Sequence, residues 1–132
     1  MRTALDSSVL LDVIVDDPKF ASGSERALRT ASVEGGLVIG ECVLAEIRPA
    51  LSEAELEELL ADWNIDFVAS SKASSLVAGA MFERYLRRRR RAERVLPDFL
   101  IGAHALHNAD RLLARDRGYY RDYFKGLVLL EP

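Results

Sequence analysis

Four carboxylates in this chain fall where open α/β sheets place their chemistry, at strand ends and helix tips. Asp6 follows the apolar-rich run 2–5, and Asp116 follows the apolar run 112–114. Asp98 comes directly after Pro97 at the start of a helical pattern, where proline suits the first turn and aspartate its positive end. Glu46 shares a helix face with Cys42 and Val43 by three- and four-residue spacing, which puts a carboxylate on an otherwise apolar stripe. Gathered into one pocket, such groups repel one another, and a hard divalent cation, Mg²⁺ or Mn²⁺, relieves that repulsion through oxygen ligands while keeping waters for reaction. The chemistry to expect is hydrolysis of a phosphate ester by a metal-activated water, with a second metal, if bound, stabilising the leaving alkoxide. No His or Cys cluster argues for zinc.

Plainer readings compete at each position. A lone aspartate after a strand is commonly a cap or turn residue, and a lone helical glutamate is commonly solvated. Asp12, Asp16, Asp17, Glu41 and Asp122 are read that way, His104 and Asn108 as a structural polar pair, and Cys42 as a small core residue.

The elements that must position the four acids follow from periodicity. Short strands are expected at 2–5, 37–39, 65–68, 111–115 and 127–130. Between them come a helix capped by Ser7 or Ser8 and stopped near Pro18, a helix from Ser24 to the Gly35-Gly36 pair, and a helix from Glu41 to about Pro49. Ser52 and Glu55 make a capping box for a helix with Leu56, Leu59, Leu60 and Trp63 inward. Ser70-Ser71 opens a long helix with Leu76, Val77, Ala80, Met81 and Tyr85 on one side. The helix from Pro97 carries Gly102, Ala105 and Ala109 on one stripe, small residues that let it lie close to the sheet. Strands alternating with helices predict a three-layer α/β/α domain with a mainly parallel sheet, in which right-handed crossovers bring the strand-end loops to one edge.

The 132 residues suit one domain, and 49% hydrophobic with 30% charged residues is the balance of a water-soluble globular protein. No apolar run reaches the roughly 20 residues of a membrane helix. Residues 1–3 lead into a strand-like segment rather than a signal peptide, and one cysteine fits a reducing compartment, so a cytoplasmic location is expected. The net charge of −3 hides two patches: seven Arg and one Glu in residues 84–94, four Glu and two Asp in residues 52–66. The basic run, Arg87, Arg88, Arg89, Arg90 and Arg91, beside an acidic phosphodiester site would hold an RNA backbone; by itself it is a solvated helix end.

The ordered segments ALDSSVLLDV, ECVLAEI, LPDFLIGAHAL and LLARDRGYYRDYF resemble the PIN-domain ribonucleases, specifically VapC-type toxins of VapBC toxin-antitoxin pairs, over essentially the whole chain. The resemblance implies a five-stranded sheet of order 3-2-1-4-5 and an Mg²⁺ or Mn²⁺ site for endonucleolytic RNA cleavage. By position it implies Asp6, Glu46, Asp98 and Asp116 as the acids, with Asp6, Asp98 and Asp116 toward the metal and Ser8 supporting Asp6. It also implies a homodimer and a VapB-like antitoxin that covers the site. The chain departs from the pattern at Ala114, where family members often carry threonine, and at Tyr119, where some carry an acid. A second class of reading, a catalytically weak module that binds RNA or an antitoxin, rests on the arginine run and those departures. Receiver-like and phosphatase domains fit the strand ends but want acids the chain lacks, such as one at Ser8.

Overall fold

The structure, a computed structural model, describes residues 1–88, 95–115 and 118–132. Five strands, β1 (Thr3–Leu5), β2 (Leu37–Ile39), β3 (Ile65–Phe67), β4 (Arg111–Leu113) and β5 (Leu129–Leu130), form one sheet in the order β3-β2-β1-β4-β5. Every pairing is parallel, with Ala4 beside Val38 on one side and Leu112 on the other. The expected α/β class and strand order hold. Strands β1 and β2 and the apolar part of β4 are buried, as continuous apolar runs in a parallel sheet require.

Helices α1 (Ser7–Ile14), α2 (Ala21–Glu34), α3 (Glu41–Ile47), α4 (Glu53–Asp62), α5 (Lys72–Arg88), α6 (Leu96–Asn108) and α7 (Tyr119–Tyr123) pack around the sheet. The capping box on α4 is present in both directions, Glu55 N donating to Ser52 Oγ and Ser52 N to Glu55 Oε1. Pro97 falls in the first turn of α6 as expected. Gly118, at φ 103°, takes the left-handed conformation that begins α7.

Several local expectations need correction. Asp6, not Ser7 or Ser8, caps α1. Helix α2 begins at Ala21, because Asp17 Oδ1 accepts from the backbone N–H of Lys19 and Phe20 and turns the chain three residues early. On α5 Tyr85 is buried as expected and Val77 and Met81 pack partly against the core, but Ser74 and Ala78 are the other buried positions, whereas Leu76 is 65% exposed and Ala80 is also exposed. Strands β4 and β5 are shorter than their apolar runs.

A cluster of rings fastens the helices that carry the site. Phe99, fully buried on α6, lies 5.7 Å from Tyr85 of α5 and 5.2 Å from Tyr123 of α7, ring centroid to centroid. Such tilted and edge-on pairs add to the burial energy of the rings themselves. Gly102 admits the neighbouring Phe124 ring rather than the sheet, since a Cβ there would lie 2.7 Å from Phe124 Cε2. Helix propensity favours Gly102→Ala by about 1 kcal/mol, but overpacking against a buried ring costs about 1–3 kcal/mol. Gly102→Ala should therefore lower the urea midpoint; a raised midpoint would show that Phe124 does not press on this position.

Candidate active site

Strands β1 and β4 are neighbours at the point where the strand order reverses direction, and parallel sheets open a crevice there. Asp6 leaves β1 at this edge, its backbone N–H donating to the Leu113 carbonyl of β4 at 3.0 Å. Extended backbone at Asp6 (φ −81°, ψ 153°) turns its side chain back over the first turn of α1. Oδ2 accepts from the Ser8 N–H at 3.1 Å and from the Ser8 hydroxyl. Oδ1 accepts from the Tyr120 hydroxyl at 2.7 Å. The carboxylate is thus fixed through both oxygens, and Asp6 as a whole is only 6% exposed.

Asp6, Glu46 and Asp98 line one cleft of about 520 Å³. Glu46 projects from the last turn of α3 and is tied to α1 by the Ser7 hydroxyl, which donates to Oε1 at 3.0 Å. Asp98 stands in the first turn of α6, behind Phe99, so the aromatic cluster sets its place. Ser8, Phe20, Arg115, Tyr119 and Tyr120 complete much of the remaining wall. Three of the four predicted acids therefore converge. Asp116 lies outside the described residues, as do Arg89, Arg90 and Arg91. Arg87 pairs with Glu83 at 2.6 Å and Arg88 lies over the Tyr123 ring, both exposed at the end of α5.

The acids concentrate negative charge, and two neighbours register it. Burial first, then Asp6 and Asp98, pushes the Tyr120 hydroxyl well above its ordinary value of 10.0, so it remains a proton donor to Asp6. Burial first, then Glu46, Glu41, Asp98 and Asp6, pushes the Cys42 thiol up to about 11. A thiol raised this far is a poor nucleophile at neutral pH. His104 Nε2 donates to the Val68 carbonyl at 2.6 Å, and Asn108 Nδ2 donates to the His104 carbonyl at 2.9 Å, so both are structural.

Donor chemistry here is hard oxygen, suited to Mg²⁺ or Mn²⁺. Among the described residues no group of three His, Cys, Asp or Glu side chains is disposed to hold a metal ion. Mg²⁺ commonly takes only one or two carboxylates, with waters and substrate phosphate filling the other positions, so the cleft fits such an ion without a three-residue cage.

Sequence reasoning passed over several residues that line this cleft or brace its wall. Asp12, read as solvated or capping, has a side chain only 4% exposed, and Arg115 grips it with Nε to Oδ2 at 2.9 Å and Nη2 to Oδ1 at 2.8 Å. Its position four after Ser8, on the same helix face, was the available signal. Ser7 and Tyr120, which hold Glu46 and Asp6, carry no periodicity that marks them.

No curated protein matches the chain in sequence. Among solved structures it is similar to VapBC2 from Rickettsia felis bound to a DNA fragment from their promoter, with TM-score 0.73 and 18% identity, covering 100% of this chain and 99% of that one. It is also similar to VapBC-1 from nontypeable Haemophilus influenzae, with TM-score 0.69, 16% identity, and 99% and 98% of the two chains covered. DNA-bound VapBC from Salmonella typhimurium gives TM-score 0.65, 13% identity and the same coverage of 99% and 98%. At these identities the likeness establishes the shared fold. A family model adds sequence evidence: the PIN domain matches residues 3–125, reaching from β1 past α7 and enclosing all four candidate acids, so the chain belongs to the PIN domain family.

Proposed function

We propose that this chain is a divalent-metal-dependent endoribonuclease, the VapC-type toxin of a type II toxin-antitoxin pair. The observation that carries the reading is the convergence of Asp6, Glu46 and Asp98 on one cleft at the sheet's switch point, in a family whose members are generally nucleases. The toxin assignment draws support from three VapBC neighbours matched over nearly their whole length. A VapB-like antitoxin, a second copy of the chain and a cytoplasmic setting belong to the same reading. Among the described residues no helix is long and apolar enough to cross a membrane.

Asp6 and Asp98 would hold Mg²⁺ or Mn²⁺, with Asp116 as a further carboxylate on the metal side. A bound ion would neutralise the phosphate oxygens and acidify a water. Ser8 and Tyr120 keep Asp6 from turning, so its remaining lone pairs address a fixed point. Glu46, tethered by Ser7 and more open to solvent than Asp6, takes the proton of the attacking water. Arg87 to Arg91 would contact the RNA backbone.

Purified protein should cut single-stranded RNA with Mg²⁺ or Mn²⁺, lose that activity in EDTA, and lose about 100-fold or more of kcat/KM on Asp6→Asn. Cleavage indifferent to EDTA would reject the proposal. Tight, salt-sensitive RNA binding with no metal-dependent product would instead favour the catalytically weak module.

Tyr120→Phe keeps the buried ring and removes one donor to Asp6. It should lower both metal affinity and kcat/KM by about 10-fold or more, the usual cost of losing a partner of a ligand. Its melting temperature should fall by several degrees, as loss of a buried charge-assisted hydrogen bond does, and unchanged metal affinity would show that the hydroxyl does not orient Asp6.

A further inference from the structure

Arg115 lines the same cleft as the carboxylates and is held there as a solvated arginine is not. Nε and Nη2 both donate to Asp12, forming a side-on bidentate pair at 2.9 and 2.8 Å. Asp12 is itself fixed, buried on α1 and accepting from the Ser24 hydroxyl at 2.6 Å. Beneath the guanidinium lies the Phe20 ring, 4.0 Å from centroid to Cζ. Plane and rotation of the group are therefore both set.

A bidentate pair through Nε and Nη2 leaves Nη1 on the far side of the fork with two N–H bonds to offer. Among the described residues no acceptor takes a bond from Nη1, and 35% of the side chain stays exposed. A bridge that only fastened α1 to the end of β4 would need neither that open edge nor the stacked ring. The cleft wall is otherwise acidic, so an entering phosphodiester gains from a fixed planar cation near Asp6.

We propose that Arg115 is a phosphate-binding residue of this cleft, receiving a non-bridging oxygen of the RNA backbone through Nη1 while Asp12 and Phe20 hold its orientation. This assignment rests on the ribonuclease reading for the identity of the anion. Asp12 is then a positioning residue, acting through Arg115.

The test is fluorescence anisotropy of an end-labelled single-stranded RNA, in EDTA so that nothing is cut, across a series of KCl concentrations. Arg115→Gln should weaken binding about tenfold, as loss of a charge-assisted hydrogen bond does, and reduce the salt slope by about one. Asp12→Asn removes the brace but keeps the cation, so it should retain the wild-type slope with lower affinity. Arg115→Lys keeps the charge and loses the fork, and should likewise keep the slope and lose affinity, which carries the comparison if Arg115→Gln folds poorly. Wild-type affinity and slope in Arg115→Gln, with only its melting temperature reduced, would overturn the assignment of Arg115 while leaving the ribonuclease reading standing. Failure of the wild-type chain to bind RNA would remove both.

Discussion

Holding carboxylates together against their mutual repulsion is the constraint on which the rest of this molecule depends. Two like charges about 6 Å apart repel by about 3 kcal/mol at an effective dielectric near 20. A hydrogen bond to a charged group contributes about 1.5–3 kcal/mol, and a helix N-terminus about 0.3–1 kcal/mol. Asp6 draws on all of these: the Ser8 N–H and hydroxyl, the Tyr120 hydroxyl, and the first turn of α1. Glu46 has Ser7, and Asp98 has the first turn of α6. Against one neighbouring charge these contacts suffice. Each further carboxylate adds a like repulsion, which the divalent cation of the proposed nuclease would offset.

The scaffold delivers that arrangement through two devices. The parallel sheet places the ends of β1 and β4 side by side, so Asp6 and Arg115 emerge from adjacent strands. The ring cluster around Phe99 locks α5, α6 and α7 together, fixing Asp98 and Tyr120 from the other direction. Neither device is chemical, yet a shift in either would misplace a carboxylate. Close contact at Gly102 with Phe124 shows how little slack the second one has.

Much of this was legible in the sequence because it is local. The alternation of short apolar runs with helical patterns predicts the sheet, Pro97-Asp98 marks the start of α6, and Ser52 with Glu55 marks that of α4. What was not legible depends on partners far along the chain. Asp12 reads as solvated until Arg115, 103 residues away, is found on it. Nothing local marks Tyr120, whose hydroxyl meets Asp6 across 114 residues. On α5 Tyr85 is inward as its spacing predicts and Val77 and Met81 border the core, but two stripes meet at Tyr85, and the one through Ser74 and Ala78 is the more deeply buried, leaving Leu76 and Ala80 outside. Asp6 was seen as a site residue but not as the cap of α1, although the cap geometry is what aims it.

The proposed divalent cation must prefer this cleft to any other acidic surface of the molecule. The chain offers a natural rival in α4, where Glu53, Glu55, Glu57 and Glu58 crowd its first turns in solvent. Mn²⁺ titrated into isotopically labelled protein broadens the amide resonances nearest to it. Asp6, Ser7, Ser8 and Asp98 should broaden first, at the lowest Mn²⁺ added; first broadening at the amides of α4 would place the cation there instead and rule out the cleft.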